Sequence, residues 1–372
     1  MAENKKQWIR LTKVCNQRCL FCLDSECQDG SMVPMAAILK ELRHGIARGA
    51  SRAVLSGGEA TLHPDFLKII GRAKKMGYGE IQVITNGQRL SGAQFFDAEI
   101  AAGVSEITFS VHGHTAALHD TLVGVKGAFI NVLRALKNTK KYPGLIVSID
   151  ICINKANYRH LPEIVKTFLK MGFFEFDLLA VVPFGRAWDE RNKMLFDFNK
   201  AVRYLKRTLV LGKYSGVHLW TNRLQAQYLE GNEAYIQSPD KLLDEIKGRR
   251  EMFEDMLANG VAPYCRGPRC AYCFIGALCD DASKLANGSA LLTHSLPKCF
   301  PETGQERVSL KKKDIVKKRV VRLEKFFDFW KKNRYFVKSM RCGTCIHEKK
   351  CAGAPIGIIT KNGFKILHPV KK

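Results

Sequence analysis

The sequence has no long apolar run. Its apolar runs, such as Leu178 to Phe184, are only a few residues long, whereas a helix needs ~20 to cross a bilayer. No membrane span is expected. The first ten residues, MAENKKQWIR, contain no apolar h-region, so no secretory signal is expected and a cytoplasmic location is. Low-complexity segments are missing, and apolar residues make up 46% of the chain, which excludes a wholly disordered protein. Dedicated RNA-binding signatures are missing too, with no RRM motif and no GxxG loop in a KH context. Acidic residues are scarce: 35 Asp and Glu stand against 60 Lys and Arg, a net charge of +25.

That charge is uneven. From Lys298 onward 21 Lys and Arg face 6 Asp and Glu, so about +15 of the +25 sits in the last fifth of the chain. Such a field attracts polyanions, among them nucleic acid and acidic peptides, although a basic surface also serves solubility alone. At 372 residues the chain is long enough for one large domain and a smaller one. What it has in plenty is cysteine, 13 in all. In a reducing cytosol, clustered cysteines read as metal ligands or redox groups rather than disulfides.

Strand and helix signals alternate through the first half. Apolar, β-branched runs occur at Trp8–Leu11, Arg52–Leu55, Ile81–Thr85, Ile107–Val111, Ile146–Ile153 and Phe176–Val182. Amphipathic stretches lie between them at Met35–Ala47, Asp65–Met76, Ala93–Ala102, Ala128–Asn138 and Leu161–Met171, several followed by a stop glycine (Gly49, Gly77, Gly103, Gly172). A further helix is expected over Lys193–Leu211. Six βα units of this kind imply an α/β fold with a parallel sheet covered by helices, either doubly wound or a partial barrel. The pattern stops near Gly212. Val217–Trp220 reads as a short strand. Ser238 and Pro239 start a helix expected to run to Ala258. Lys311–Lys338 reads as one long basic helix carrying Leu323, Phe326, Phe327, Phe329 and Trp330. The expected domains are 1–211, a helical connection 212–264, and a basic, cysteine-rich 265–372.

Cys15, Cys19 and Cys22 form C-x3-C-x2-C directly after the first strand. Thiolates select zinc or iron–sulfur centres. A structural zinc site needs four ligands, and the loop offers three, with Cys27 near enough to be a fourth. Three thiolates on a [4Fe–4S] cube leave one iron open. Ordinary thiols and zinc remain the alternatives. Further motifs follow at the ends of successive strands: Gly57-Gly58-Glu59, Thr85-Asn86-Gly87 and Ser110-Val111-His112-Gly113. Parallel barrels assemble their sites at that end.

Over about residues 5–190 this combination resembles the radical SAM superfamily. The resemblance implies a (βα)6 partial TIM barrel and an S-adenosylmethionine-binding [4Fe–4S] cluster on Cys15, Cys19 and Cys22. It places Phe21 beside the third cysteine. It assigns the methionine amino group to Gly57, Gly58 and Glu59, and the ribose and carboxylate site to Thr85, Asn86, Ser110 and His112. An electron delivered by a donor such as flavodoxin or ferredoxin would cleave the sulfonium bond, and the resulting 5′-deoxyadenosyl radical would abstract a hydrogen from substrate. The cofactor carries that chemistry and the protein positions it. His114 and His119 are expected to be polar loop residues, and Cys152 a core thiol. Arg186 is assigned to a substrate or cofactor carboxylate. No catalytic acid or base is assigned. With 14 residues ahead of Cys15, no preceding cobalamin-binding domain is expected.

Eight cysteines lie farther on. Cys270, Cys273 and Cys279 repeat the spacing of Cys342, Cys345 and Cys351, each C-x2-C-x5-C. Metal binding is the reading, with zinc knuckles the alternative to iron–sulfur. The region resembles the SPASM or twitch extensions of radical SAM maturases, which hold one or two auxiliary [4Fe–4S] clusters. It departs from them at the fourth position, where Pro355 and Ser283 stand. Cys265 and Cys299 would supply the missing ligands, with the sharing left open. The resemblance implies a peptide or protein substrate, and the basic region would suit an acidic leader. The alternatives are modification of RNA or a small molecule, with the Lys311–Lys338 helix on phosphates, and a non-enzymatic zinc module for nucleic acid.

Overall fold

The computed structural model describes residues 5–300, 306–318 and 320–371. The chain divides into two compact units, one of residues 1–196 with 203–220 and one of residues 197–202 with 221–372.

The first unit is built on a sheet whose order follows the chain: β1 (Lys6–Thr12), β2 (Arg52–Gly57), β3 (Glu80–Thr85), β4 (Glu106–Ser110), β5 (Ile146–Ile153), β6 (Glu175–Ala180) and β7 (His218–Asn222). Each of β1 to β5 runs parallel to the next. Helices α1 (Met35–Ala47), α2 (Phe66–Lys75), α3 (Ala93–Ala102), α4 (Ala116–Val123), α5 (Ala128–Thr139) and α6 (Leu161–Lys170) make the crossovers. One sheet face carries the core, with Ile9, Leu11, Leu55, Ile81, Val83, Ile107, Phe109, Ile151 and Leu178 buried. The opposite face holds polar residues in register, Ser110 beside Asp150 beside Asp177. All the strand-end motifs therefore come out at one rim.

Helix α4 was not foreseen. Its apolar residues are too few for a periodic signal, yet Thr115 caps it by accepting Leu118 N–H and Gly124 ends it in the left-handed region. His119 lies on it and is buried, which corrects the expectation of a loop residue. The expected helix Lys193–Leu211 is broken into Arg191–Met194, a 3-10 turn Phe198–Ala201, and Val202–Leu209.

The second unit differs more from expectation. The helix from Ser238 to Ala258 is interrupted: Pro239–Ile246 and Arg250–Asn259 flank a 3-10 turn, Lys247–Arg249, that contains Gly248, a residue of low helix propensity. The long basic helix over Lys311–Lys338 does not form. Lys312–Ile315 is a single helical turn. Val316–Lys317 then pairs antiparallel with Val320–Val321, and only Leu323–Asn333 is a sustained helix. Valines at 316, 320 and 321 favour a hairpin over a helix; Arg319 lies outside the described residues. Phe326 and Trp330 are buried with Phe253, Leu257, Leu278 and Leu285, and Phe327 and Phe329 pack against them. These aromatics pack in the core of the unit. The core is fastened by Arg334, whose Nε and Nη2 donate to the two oxygens of the buried Asp281 at 2.8 and 2.7 Å. No helix among the described residues is long and apolar enough to cross a membrane.

Phe326→Ala should lower the stability of this unit by about 3–5 kcal/mol in a guanidinium melt. Val320→Thr, at a side chain 67% exposed, should move it by less than about 0.5 kcal/mol. Equal losses in both would contradict the assignment of Phe326 to the core.

Candidate active site

The Cys15–Cys22 loop leaves the end of β1 and returns to it. Lys13 N–H donates to Ser31 O, Val33 N–H donates to Leu11 O, and Thr12 bridges Met32, closing the neck. Three backbone anchors fix the loop. The first is the Gly57–Gly58 turn: Gly58 N–H donates to Thr12 O and Glu59 N–H to Val14 O, both at 2.8 Å. A Cβ on Gly58 would stand 2.2 Å from Val14 O, and one on Gly57 2.5 Å from Thr12 O. Only glycine lets the two backbones meet. The second is the end of α4, where Val123 O and Leu122 O accept Arg18 N–H and Leu20 N–H at 2.9 Å. The third follows β6. Gly185 takes φ +54° against Cys22 O and Leu23 O, and Arg186 N–H reaches Ser25 Oγ at 2.6 Å and Cys22 O at 3.0 Å.

Arg186 also sends its guanidinium to Cys19 O at 3.3 Å. The structure thus places it against the cysteine loop.

Cys22 N–H donates to Cys19 O at 3.2 Å, and the same turn recurs from Cys273 to Cys270 at 3.2 Å and from Cys345 to Cys342 at 3.0 Å. A C-x2-C spacing folded this way presents both sulfurs from one tight turn. Burial pushes the Cys15 thiol up to about 11, with Glu59 and Cys22 adding to the rise. Burial also holds Cys19 well above the ordinary thiol value, followed by the charges of Cys15, Cys22 and Cys152. Cys22 is raised by burial, opposed by a backbone hydrogen bond and by Arg186. Three half-buried thiols that repel one another as thiolates favour a cationic centre, since metal ligation takes the protons off. Cys27 stands exposed on the turn Ser25–Cys27. Cys152 is close enough to Cys19 to act on it and packs with Phe21, Val181 and Ala187.

Glu59 is 1% exposed. One carboxylate oxygen accepts Thr61 N–H, Thr61 Oγ1 and Thr85 Oγ1, and the other accepts Asn86 N–H at 2.7 Å. It therefore clasps the Gly57–Glu59 loop to the Thr85–Asn86 loop, and burial raises its pKa in spite of those bonds. What the turn offers a ligand is its glycine backbone. Asn86 in turn donates to Asn16 Oδ1 at 2.7 Å and lies 4.0 Å from Cys15 Sγ.

His112 is 4% exposed, and burial holds its pKa well below the ordinary value, so the ring is neutral. Its Nδ1 accepts Cys152 N–H, its carbonyl accepts Asn157 Nδ2, and its ring meets the Phe21 ring edge-on at 4.3 Å. His119 Nδ1 accepts His112 N–H at 3.2 Å. Phe21 and His112 thus form a wall beside the third cysteine. Sequence reasoning missed His119 and the loop amides Gln17 and Gln28. These carry no periodic or motif signal and are recognised only by what they touch.

In the second unit the eight cysteines fall into two groups. Cys299, Cys342, Cys345 and Cys351 line one pocket with Lys298, Lys338 and His347. Cys342 is raised first by burial and then, among charges, by Cys299, Cys351 and Cys345. Cys279 is pushed up to about 12, first by burial and then by Cys273 and Cys265, while Cys270 and Cys279 both act on Arg266. The pocket group is held by Glu230, which accepts Ser339 Oγ, Met340 N–H and Arg341 Nε at the start of the Cys342 turn. Among the described residues no three His, Cys, Asp or Glu side chains converge on a point that one metal ion would fill.

Residues 9–168 match the family model described as the Radical SAM superfamily. A protein of Sulfurisphaera tokodaii named "Probable GTP 3',8-cyclase" is 27% identical over 202 residues, covering 54% of this chain and 62% of that protein. One of the same name from Saccharolobus solfataricus is 26% identical over 183 residues, covering 48% and 57%. The chain spans about three-fifths of the length of these curated relatives. Among solved structures, Streptococcus suis SuiB bound to S-adenosylmethionine is 15% identical with a TM-score of 0.48, covering 98% of this chain and 76% of that one.

Glu59→Gln should cost about 1–3 kcal/mol in a guanidinium melt. Whichever way the amide turns, its NH2 meets a backbone N–H, that of Asn86 or that of Thr61. A variant as stable as the parent would remove Glu59 from its place as the clasp between the two loops.

Proposed function

We propose that this radical SAM enzyme, whose residues 9–168 form the family's domain, reductively cleaves S-adenosylmethionine and modifies a peptide or protein by hydrogen abstraction. The carrying observation is the platform at the strand ends. Cys15, Cys19 and Cys22 share one loop fixed from three sides, and the Gly57–Gly58 backbone and the Phe21–His112 wall stand beside it. These residues fit the implied cofactor pair: thiols raised by burial, a glycine turn with no room for a side chain, and a buried amide donor of Gln17 without a partner. Cys15, Cys19 and Cys22 would hold a [4Fe–4S] cluster, with Gly57, Gly58, Asn86 and Ser110 lining the S-adenosylmethionine side. When bound, the pair supplies an electron source and a hydrogen-abstracting radical.

The chain's own residues supply position and exclusion. Arg186 holds the carbonyls of the cysteine loop, Glu59 locks the two flanking loops together, and the neutral His112 closes one wall without adding charge. In the second unit the two four-cysteine groups would hold auxiliary clusters. That pair of groups, with the basic composition of the unit, supports a peptide or protein substrate, an acidic leader suiting the charge. A cytoplasmic setting and a flavodoxin- or ferredoxin-like donor belong to this reading. A second reading, a nucleotide or other small molecule as substrate, is favoured by the likeness of the first half to proteins named as GTP cyclases.

Under anaerobic conditions with dithionite and S-adenosylmethionine, the purified protein should form 5′-deoxyadenosine and carry iron well above four atoms per chain, about four per cluster. Cys19→Ala should abolish 5′-deoxyadenosine. Cys345→Ala should retain it and lose substrate turnover. Zinc in place of iron, with no cleavage, would sink the proposal. Cleavage stimulated by GTP, with a nucleotide product, would decide for the second reading.

A further inference from the structure

Each cysteine of the first loop has one side-chain carboxamide against its sulfur. Gln28 Nε2 donates to Cys22 Sγ at 3.6 Å, Asn86 Nδ2 lies 4.0 Å from Cys15 Sγ, and Cys19 Sγ meets Gln17 Oε1 at 3.6 Å. The third contact runs the other way from the first two. It is the bond of a protonated thiol, S–H to carbonyl oxygen. A thiolate has no proton to give and only accepts, so an oxygen beside it would repel. Gln17 is 3% exposed, and its Nε2 is a buried donor with no partner among the described residues. Turning the amide half a revolution puts that orphaned N–H on Cys19 and moves the oxygen into its place. An unpaired carbonyl oxygen is the commoner orphan.

We infer that Gln17, Gln28 and Asn86 form a carboxamide shell that donates one N–H to each thiolate of the Cys15–Cys19–Cys22 centre and raises its reduction potential. The inference rests on the reading that these cysteines hold an iron–sulfur cluster. Hydrogen bonds to cluster sulfurs disperse the negative charge that reduction adds, which is one of the levers setting such potentials. The donors come from three places: Gln17 within the loop, Gln28 on its returning limb, and Asn86 after β3. One substitution therefore removes one bond and leaves the backbone anchors alone. Gln17 and Gln28 are positioning residues, acting through the cysteines.

The test is a redox titration of the full-length reconstituted protein, following the EPR signal that shifts when S-adenosylmethionine is added. Gln17→Leu should lower the midpoint so that the reduced-to-oxidised ratio at a fixed poise falls about tenfold, 59 mV for one electron. Gln28→Leu should shift it in the same direction. Gln17→Glu should lower it further, since a carboxylate adds charge beside the thiolates. Unchanged midpoints in both leucine variants, with iron content equal to the parent, would overturn the inference. Should Gln17→Leu lose the cluster, the parent protein answers instead. Grown with glutamine labelled by 15N in the side chain, it should show 15N coupling to the reduced centre, and no coupling overturns the shell. A parent that binds no cluster at these cysteines defeats the underlying reading, whereas a cluster with an unmoved potential defeats this inference alone.

Discussion

The approach of the Gly57–Gly58 backbone to the end of β1 is the contact on which the rest of the site depends. It is a meeting of two main chains, Gly58 N–H on Thr12 O and Glu59 N–H on Val14 O, at a separation that leaves no volume for a side chain. The β1–β2 register slips between Arg10 and Thr12, with Gly57 opposite Thr12. The strand therefore bends out of the sheet where the cysteine loop begins. Glu59 continues the connection sideways to Thr85 and Asn86, and Asn86 turns back to Asn16 and Cys15. The ends of three strands are thus linked in a closed circuit of hydrogen bonds, mostly buried, in which each bond gains strength from the low dielectric around it.

That circuit explains why a loop of poor intrinsic order can hold three thiols in place. Residues 13–31 contain only one short 3-10 turn. Order comes from outside: the end of α4 on one side, Gly185 and Arg186 on the other, and the neck closed by Ser31 and Val33. Two exposed ion pairs, Arg10–Asp24 and Lys13–Asp29, add little by themselves in water. The anchors that matter are backbone groups whose partners have nowhere else to go. A site built this way resists displacement of its sulfurs while leaving the rim above the sheet open to a ligand.

Much of this was legible in the sequence, for identifiable reasons. The strands and helices of the first unit repeat β-branched runs and amphipathic faces long enough to set a period, and the cysteine, GGE and TNG motifs sit where parallel strands end. The two misread helices of the second unit share one cause. In the second unit long basic stretches supplied many residues with helical spacing, but Gly248 and the valines at 316, 320 and 321 broke the backbone path. Local propensity won there because few apolar residues were available to pay for an extended helix. Arg186 sits at the strand-end rim, and the contact that no spacing foretells is the one it makes with the cysteine loop. A guanidinium reads from sequence as an anion binder, and here it donates to the Cys19 carbonyl while the backbone N–H of the same residue anchors on Ser25 Oγ. The partners of Gln17, Gln28 and His119 depend on where loops return in space, which no spacing along the chain records.

The second unit shows how one local turn can serve two cysteine groups. Cys270–Cys273 and Cys342–Cys345 use the same 3-10 turn, each second cysteine at the extended residue that ends it. The third cysteines then diverge. Cys279 enters the helix Gly276–Ala286 and is buried in the core with Leu278 and Ala282, whereas Cys351 lies outside any helix, where Gly353 N–H lies 3.3 Å from its sulfur. The two groups differ in exposure and in neighbours: Arg266 beside one, Lys298, Lys338 and Glu348 around the other. Hydrogen bonds, charge and solvent access are the quantities that set cluster potentials. Two cysteine groups built from one repeated spacing therefore stand in unlike electrostatic surroundings. Duplicated spacing with divergent third ligands is what a chain needs if it is to hold similar centres at different potentials.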